Sequence, residues 1–373
     1  MIEPISVLFV VPDLRFGGAE RHATTLLTRL DREKFTPAAV CIGVEGELFS
    51  ELTAAGVVAR ALHLGGKRNS LRALWTLIAQ IRRDRPDVVV LRGYSAEMLG
   101  RLAALAGGVK HCVIWVHDMG DITPRSVMRR LVDRVLMLLT SRYFGVAEAQ
   151  RRYLMESLHC PAEKIRIIPN GVGPAWLGEN RKRADLAEFG IDPGDLVVGI
   201  VAVLRWEKDH ATLLRAVSLL RREIPNVKLL VVGDGPQRPE LEGLREELGL
   251  TENVCFAGSR SDVPEILRAV DVVSLSSVTE CFPISLLEAM ACARPTVCTR
   301  VGGIGEIVVD GVTGYLVPAR DAEALSARLR DVLLDPERGR SMGRAGRERV
   351  ARHFTLDRSV AAAEREIEGL VRP

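Results

Sequence analysis

The 373-residue sequence lacks the features that define several common classes of protein. Its seven cysteines are odd in number and include no C-x-x-C pair, which favours reduced thiols in a cytoplasm over a disulfide framework. No stretch reaches the roughly 18 uncharged apolar residues of a membrane span. The net charge of +3 is too small to argue for nucleic-acid binding. We therefore expect a cytoplasmic protein with no nucleic-acid partner.

Signatures of targeting and of common bound groups are also missing. Met1–Pro4 has no basic region and Val7–Val11 is too short for the core of a signal peptide, so we expect a first strand there. No H-x-x-x-H occurs, and no zinc site of that kind is expected. There is no G-x-x-x-x-G-K, and Arg238 stands where the dinucleotide fingerprint that begins at Gly233 needs its third glycine.

Short apolar runs alternate with amphipathic stretches along nearly the whole chain, and this pattern occurs twice. Such alternation is typical of parallel sheets covered by helices, so an α/β fold with two domains is predicted. The predicted strands are Val7–Val11, Ala38–Ile42, Val57–Ala61, Val88–Leu91, Val113–Val116, Arg142–Val146 and Ile165–Ile168, then Val197–Ala202, Lys228–Val232, Val254–Phe256, Val272–Leu275 and Thr296–Cys298.

The domain boundary is predicted in a stretch rich in glycine and proline. Eight such residues lie between Pro169 and Asp195, ahead of a new strand. We expect domains over residues 1–175 and 176–355. Ligands of open α/β sheets bind at the carboxyl ends of their strands, so a cleft between the two domains is the expected active site.

The segment from Glu280 to Met290 is the most informative in the chain. Two glutamates, Glu280 and Glu288, stand eight residues apart, and an apolar run predicted as a buried strand precedes them. Pro283 suits the first turn of a helix. The free amides near Phe282 and Ile284 would then form a cationic helix end suited to a phosphate.

Four other motifs follow predicted strands, and each has a structural alternative. Gly17-Gly18 and Gly233-Asp234-Gly235 let backbone approach an anion closely, although each is also typical of a tight turn. Arg205 and Lys208 could hold a pyrophosphate, or form a solvated basic loop. His117 could be a site residue or a structural histidine.

A basic amphipathic stretch is predicted as a helix over residues 125–138. Its arginines could lie on an anionic membrane surface, which would make the protein peripheral on the inner face of the cytoplasmic membrane. The alternative is an ordinary helix that packs its apolar side on the sheet and leaves a solvated basic face. The arginines are Arg125, Arg129, Arg130 and Arg134, and the apolar residues are Val127, Met128, Leu131, Val135 and Leu138.

Together, the order and spacing of these motifs resemble the retaining, nucleotide-sugar-dependent glycosyltransferases of family 4, which have the GT-B fold. The resemblance spans nearly the whole chain. It implies two Rossmann-like domains with parallel sheets that face each other across a cleft, and a C-terminal helix over 356–373 that crosses back to the N-terminal, acceptor-side domain. The motifs that carry it are Gly17-Gly18-Ala19-Glu20, His117-Asp118, Pro169-Asn170-Gly171-Val172, Arg205 with Lys208, Gly233-Asp234-Gly235-Pro236, Glu280–Glu288, Val301-Gly302-Gly303 and Asp310–Val317.

The resemblance implies roles at the matching positions. Glu288 would bind the ribose of the donor, and Glu280 and His117 would contact the transferred sugar. Arg205 and Lys208 would neutralise the pyrophosphate. The remaining donor-binding residues would be Gly17, Gly18, Phe282, Pro283, Ile284 and Gly233, with Gly258 and Ser259 near the base.

The sequence departs from the family pattern at four positions. Val203 stands where an arginine is frequent, and Arg205 lies only three residues before Lys208. Asp209 and Cys281 occupy positions that are usually glycine, and Gly305 one that is usually proline. These departures bear on the role of Arg205 and on the approach to the donor phosphate.

The activity implied is transfer of a sugar from a UDP- or GDP-type donor to an acceptor hydroxyl, in polysaccharide or glycolipid biosynthesis. The acceptor would be a sugar or a lipid-linked sugar. No metal or other cofactor is expected, and no D-x-D occurs. The alternatives are another GT-B enzyme, such as a nucleotide-sugar 2-epimerase or a phosphorylase, and a non-catalytic protein that binds sugar nucleotides.

Overall fold

The computed structural model describes residues 3–15, 17–120, 127–178 and 182–372. The chain divides into two compact units. Unit 1 comprises Met1–Pro169 and Arg358–Pro373, and unit 2 comprises Asn170–Asp357.

Unit 1 is an α/β unit built around one sheet of parallel strands. Its strands are β1 (Ile5–Val11), β2 (Phe35–Cys41), β3 (Val58–Ala61), β4 (Val88–Leu91), β5 (His111–Trp115), β6 (Arg142–Gly145) and β7 (Ile165–Ile167). Its helices are α1 (Gly18–Arg29), α2 (Phe49–Ala54), α3 (Ser70–Asp84), α4 (Tyr94–Gly107), α5 (Val127–Leu136) and α6 (Ala149–Arg152), with α14 (Leu356–Val371) from the C-terminal end of the chain.

The strand order in this sheet is β3-β2-β1-β4-β5-β6-β7, and every pairing is parallel. The order reverses between β1 and β4, where Val7 is aligned with Val88. Side chains of β1, β4 and β5 are almost wholly buried, because helices cover both faces of the sheet. The carboxyl ends of β1 and β4 therefore form the switch point at which open α/β sheets bind ligands.

Unit 2 repeats the same design. Its strands are β8 (Leu196–Val201), β9 (Val227–Val232), β10 (Val254–Gly258), β11 (Val272–Leu275), β12 (Thr296–Thr299) and β13 (Gly314–Val317). Its helices are α7 (His210–Leu220), α8 (Arg238–Glu247), α9 (Val263–Ala269), α10 (Ile284–Ala291), α11 (Ile304–Ile307), α12 (Ala322–Leu333) and α13 (Pro336–His353). The order β10-β9-β8-β11-β12-β13 places its switch point between β8 and β11.

The predicted α/β fold class is confirmed, including the return of the C-terminal helix. From Arg358 onward, helix α14 belongs to unit 1, where Glu366 pairs with Arg166 at 3.0 Å and Glu364 accepts a hydrogen bond from the Asp31 amide. All twelve predicted strands are present. We expected the domain boundary after residue 175, whereas unit 2 begins at Asn170, whose side-chain amide donates to the carbonyl oxygen of Phe282.

Strand β13 and helix α13 were not predicted. Helix α13 has 18 residues, but the face that it buries is formed largely by Gly339, Gly343 and Gly346. A Cβ at Gly343 would overlap the carbonyl group of Ala293, and Gly346 lies against Met290 of α10. Helix α13 therefore packs through close approach of its backbone to its neighbours and has no apolar stripe. Sequence periodicity detects such a stripe, so it did not predict this helix.

Helix α5 corrects one interpretation of the sequence. Its apolar side does not pack on the sheet: Met128 is 69% exposed, Val135 67% and Leu138, just beyond the helix, 79%. The helix is attached instead through Leu136 and Asp133, both buried, and Asp133 pairs with Arg101 of α4 at 2.6 Å. Arg125 and the side chain of Arg129 lie outside the described residues.

Candidate active site

The switch point of unit 2 brings Lys208 and Glu280 together. Lys208 follows β8 and Glu280 follows β11, which are neighbouring strands. Lys208 Nζ lies 2.6 Å from Glu280 Oε1, and the glutamate side chain is only 8% exposed. Two residues 72 positions apart in sequence thus form a half-buried ion pair where α/β sheets bind ligands.

Several hydrogen bonds hold this pair in place. The Ser277 hydroxyl donates to Glu280 Oε1 at 2.8 Å, and the Thr299 hydroxyl of β12 donates to the carbonyl oxygen of Ser277 at 2.6 Å. On the other side, the Ser276 hydroxyl donates to the carbonyl oxygen of Lys208 at 3.0 Å. The sequence motifs did not indicate Ser276, Ser277 or Thr299, although each lies at the end of a predicted strand.

Asp209 occupies a position that is usually glycine, and its conformation and contacts show how aspartate is accommodated there. Its backbone is left-handed, with φ +45° and ψ +49°, a conformation that asparagine and aspartate tolerate better than most residues. Its carboxylate accepts hydrogen bonds from the Thr212 amide and hydroxyl and so caps α7. The cap stabilises the turn that presents Lys208.

The N-terminus of α10 lies immediately after Glu280. Pro283 is the N-cap residue and no side chain caps the helix, so the first amides, near Ile284, have no intrahelical acceptor. Phe282 is buried, stacks edge-on against Phe354 at 5.3 Å and accepts the Asn170 hydrogen bond through its carbonyl oxygen. This end of α10 is therefore a positively polarised helix end that is anchored through Phe282.

Two glycines bring loops of unit 2 into direct backbone contact. Gly302 has φ +47°, and a Cβ there would overlap the carbonyl oxygen of Glu280. Gly233 has φ +136°, its amide donates to the carbonyl oxygen of Gly258 at 2.8 Å, and a Cβ there would meet the Ala202 carbonyl. These contacts place the loops after β8, β9 and β10 side by side.

Other predicted donor-side residues differ from the Lys208–Glu280 ion pair in their exposure to solvent. Arg205 is 57% exposed and lies 3.9 Å from Glu207, so its guanidinium is much less enclosed than the Lys208 ammonium. Ser259 is exposed, and Glu288 is half-buried on α10. His210, which no motif indicated, is buried beside Lys208, and burial followed by the lysine charge lowers its pKa to about 4.

The predicted N-terminal site residues lie at the switch point of unit 1. Gly17 is the N-cap residue of α1, Gly18 opens that helix, and the Glu20 carboxylate lies against Gly17. His117 follows β5 and is half-buried, with its Nδ1 3.5 Å from the carbonyl oxygen of Trp115. Burial, then the nearby Arg92 and His22, hold the pKa of His117 well below its usual value, so the imidazole is neutral.

Sequence analysis missed a polar cluster around His117. His22 of α1 is 4% exposed and its ring lies 5.1 Å from the ring of His117 and 4.9 Å from that of Trp115. Arg92, directly after β4, pairs with Glu20 at 2.8 Å. The one available signal was an arginine at the end of the all-apolar strand Val88–Leu91.

The described residues contain neither a cluster of metal-ligating side chains nor a membrane-spanning helix. Across residues 3–15, 17–120, 127–178 and 182–372, no group of three or more His, Cys, Asp or Glu side chains could hold a metal ion. Within the same residues, no helix has the length and apolar character needed to cross a membrane.

The architecture and both switch-point sites define a two-unit α/β protein of the GT-B class. Comparison with known proteins agrees: residues 181–349 match the family described as glycosyl transferases group 1, and residues 16–176 match glycosyltransferase family 4. A GDP-mannose-dependent alpha-(1-6)-phosphatidylinositol monomannoside mannosyltransferase of Mycolicibacterium smegmatis is 31% identical over 276 residues, 70% of this chain and 69% of that protein. The chain therefore belongs to the family 4 glycosyltransferases.

Other relatives and structures are similar to different extents. A D-inositol 3-phosphate glycosyltransferase of Segniliparus rotundus is 32% identical over 233 residues, 61% of this chain and 52% of that protein. This chain thus aligns with about half the length of that relative and of two others. The structure of Anabaena Alr3699/HepE in complex with UDP and glucose has a TM-score of 0.86 and 20% identity, over 98% of this chain and 100% of that one.

Proposed function

We propose that this protein is a retaining glycosyltransferase that moves a sugar from a nucleoside-diphosphate sugar to an acceptor hydroxyl. The observation that carries the proposal is the Lys208–Glu280 pair beside the uncapped N-terminus of α10. A half-buried cation and a helix end converge where a ligand of an α/β sheet binds. A diphosphate leaving group needs this arrangement of positive charge.

The proposed reaction breaks the bond between the anomeric carbon and the diphosphate oxygen, and the electron pair leaves with the diphosphate. Lys208 and the amides near Ile284 stabilise the growing negative charge, because they are positioned before the reaction begins. Arg205 adds a more solvated charge. The acceptor oxygen bonds to the anomeric carbon on the same face, and its proton passes to the leaving phosphate.

Glu280 and Glu288 have different proposed roles. The Glu280 carboxylate is fixed by Lys208 and Ser277 and can still accept a hydrogen bond from a hydroxyl of the transferred sugar. Glu288 binds the ribose hydroxyls, with Gly233, Gly258 and Ser259 near the base. We propose that the positive charge of the protein makes a metal ion unnecessary for the transfer.

The donor is proposed to carry UDP or GDP. The solved Anabaena structure contains UDP, and the Mycolicibacterium relative is GDP-mannose-dependent. The acceptor is proposed to be a sugar or a lipid-linked sugar, since one relative is a phosphatidylinositol monomannoside mannosyltransferase and another acts on a GlcNAc-diphosphoundecaprenol.

A thermal-shift panel of nucleoside-diphosphate sugars tests donor binding. A true donor at 100 times its Kd should stabilise the native protein by about 2.7 kcal/mol. Glu288→Ala should reduce the shift produced by that donor, because the ribose contact is lost, whereas the exposed Arg215→Ala on α7 should not. If no member of the panel raises the melting temperature, the proposed donor class is wrong.

Product analysis with the radiolabelled donor then separates the alternatives. A transferase yields labelled acceptor only when acceptor is present. A 2-epimerase changes the sugar without any acceptor, and a phosphorylase requires free phosphate. Stable donor binding with neither transfer nor hydrolysis would favour a non-catalytic binding protein.

We also propose that α5 holds the protein on an anionic membrane surface. Several of its apolar side chains face solvent, with Val127 64% exposed and Leu131 53% exposed. The exposed charged side chains that the structure describes on α5 are both arginine, Arg130 and Arg134. An apolar stripe flanked by cations matches the boundary of an anionic bilayer.

Vesicle flotation tests this membrane contact. The protein should float with vesicles that contain phosphatidylglycerol, less with purely zwitterionic vesicles, and less at high salt, since surface charge attraction is screened. Leu131→Glu/Val135→Glu should abolish flotation. The matched pair Val312→Glu/Leu334→Glu, at exposed positions of unit 2, should not. Equal flotation of both double variants would overturn the proposal.

A further inference from the structure

Arg92 is a buried cation that is only partly paired. The residue is 8% exposed, and its Nη2 lies 2.8 Å from Glu20 Oε1. Its Nε and Nη1 are enclosed and have no hydrogen-bond partner among the described residues. One nitrogen is enough to make the ion pair with Glu20, so that pair does not account for the other two donors. Buried donors without partners are rare in native proteins, and they are costly when charged.

The position of Arg92 is that of a ligand-binding residue. It follows β4 at the switch point of unit 1, and its amide donates to the carbonyl oxygen of Val10 on the neighbouring β1. The loop after β1 leads to α1, whose N-cap residue is Gly17, and the Glu20 carboxylate lies against Gly17 at that helix end. Because Glu20 lies in the first turn of α1, its contact with Arg92 brings the guanidinium to that helix end.

The neighbouring rings add further donors without adding charge. His22 Nε2, His117 Nε2 and Trp115 Nε1 are enclosed, and the described residues offer them no hydrogen-bond partner. Burial, with a smaller contribution from Arg92, lowers the pKa of His22 to about 3. Two neutral imidazoles can each present an N–H to a ligand oxygen. The cluster is therefore rich in hydrogen-bond donors, and its positive charge is the Arg92 guanidinium.

We propose that Arg92, His22 and the N-terminus of α1 bind an oxyanion, a phosphate or carboxylate, carried by a substrate of this protein. A bound oxyanion supplies acceptors for the Nε and Nη1 atoms of Arg92 and for the first amides of α1. Planar, bidentate recognition of phosphate or carboxylate is the chemistry that arginine performs and lysine does not. The assignment to a substrate depends on the proposed transferase function, whereas oxyanion binding itself does not.

Calorimetric titration of the full-length protein with inorganic phosphate tests the site. The Lys208→Ala background keeps the unit 2 site from contributing. In that background, Arg92→Gln should weaken phosphate binding by about 10- to 100-fold, the loss typical of hydrogen bonds to a charged group. Arg92→Lys should bind phosphate with intermediate affinity. Arg15 is an exposed arginine in the same loop region, and Arg15→Gln should bind phosphate as tightly as its parent.

Glu20→Gln distinguishes a binding role from a structural one. If Arg92 binds oxyanions, removal of its negative partner should strengthen phosphate binding. If Arg92 and Glu20 only hold the fold together, Arg92→Gln and Glu20→Gln should both lose stability. The folded fraction of Arg92→Gln should then bind phosphate with the affinity of its parent. That second result would overturn the proposal.

A final arm identifies the source of the oxyanion. Phosphate titrations of the wild-type protein saturated with UDP should still show the Arg92-dependent site if the oxyanion belongs to the acceptor. Loss of that site in the presence of UDP would assign it to the diphosphate of the donor. These titrations do not measure sugar transfer. The Arg92-dependent phosphate binding can therefore be interpreted even if no nucleoside-diphosphate sugar binds in the thermal-shift panel. The oxyanion proposal and the transferase proposal can thus fail separately.

Discussion

Lys208→Ala is expected to lower the rate of sugar transfer by about 10²–10³-fold, the usual cost of removing one preorganised group that stabilises developing charge. Its ammonium lies 2.6 Å from Glu280, beside the uncapped end of α10, and no other described cation pairs with this carboxylate. Turnover with saturating donor measures the effect. Arg205→Ala should cost less, because the Arg205 side chain is 57% exposed and more of its charge is screened by water.

The same substitution leaves Glu280 buried without its cation, so stability must be measured as well. Breaking a buried ion pair by removing one partner typically destabilises by about 3–5 kcal/mol. The double variant Lys208→Met/Glu280→Gln should recover much of that loss and remain inactive. If the double variant regains activity along with stability, the pair is structural and the role proposed for Lys208 is wrong.

Arg101→Met is expected to cost about 3–5 kcal/mol of unfolding free energy, because it leaves the Asp133 carboxylate buried beside α4. Arg101 is 1% exposed and Asp133 is 8% exposed, and their side chains are 2.6 Å apart. Denaturant titration measures the loss. Helix α5 should respond first, since its apolar side faces solvent and few of its residues anchor it.

The matched control for this pair is Arg101→Met/Asp133→Leu. Replacing both partners of a buried ion pair with apolar residues is often neutral, so the double variant should be clearly more stable than Arg101→Met alone. Amide exchange over Val127–Leu136 should be faster in the single variant and near normal in the double variant. Unchanged exchange in Arg101→Met would show that other contacts hold α5.

Strand positions were well predicted because buried parallel strands are continuous apolar runs, as in Val88–Leu91 and Val272–Leu275. Amphipathic periodicity likewise predicted that α5 is a helix. Two of the differences from the sequence predictions share one cause: α13 buries glycines and α5 exposes apolar residues. Amphipathic periodicity identifies a helix and its two faces, but it does not state which face meets the protein.

The unit 2 site was largely predictable because its residues occur in recognisable local motifs after strands. Glu280, Glu288 and Lys208 were each indicated by sequence, and their roles stay predictions. Ser277 and Thr299 were not indicated, because a lone hydroxyl residue carries no local pattern. Arg92 was missed for the same reason, and its meaning depends on Glu20, which lies 72 residues earlier.

By itself, the sequence determined the α/β class, the duplication of the design and the loops that could carry a site, because each depends on local periodicity and turn chemistry. Tertiary structure alone decided that Lys208 meets Glu280, that Arg92 meets the first turn of α1, and that the apolar side of α5 faces solvent. Those contacts follow from strand order, which places β8 beside β11 and β1 beside β4. Strand order is set by long-range packing, and no local pattern in the chain encodes it.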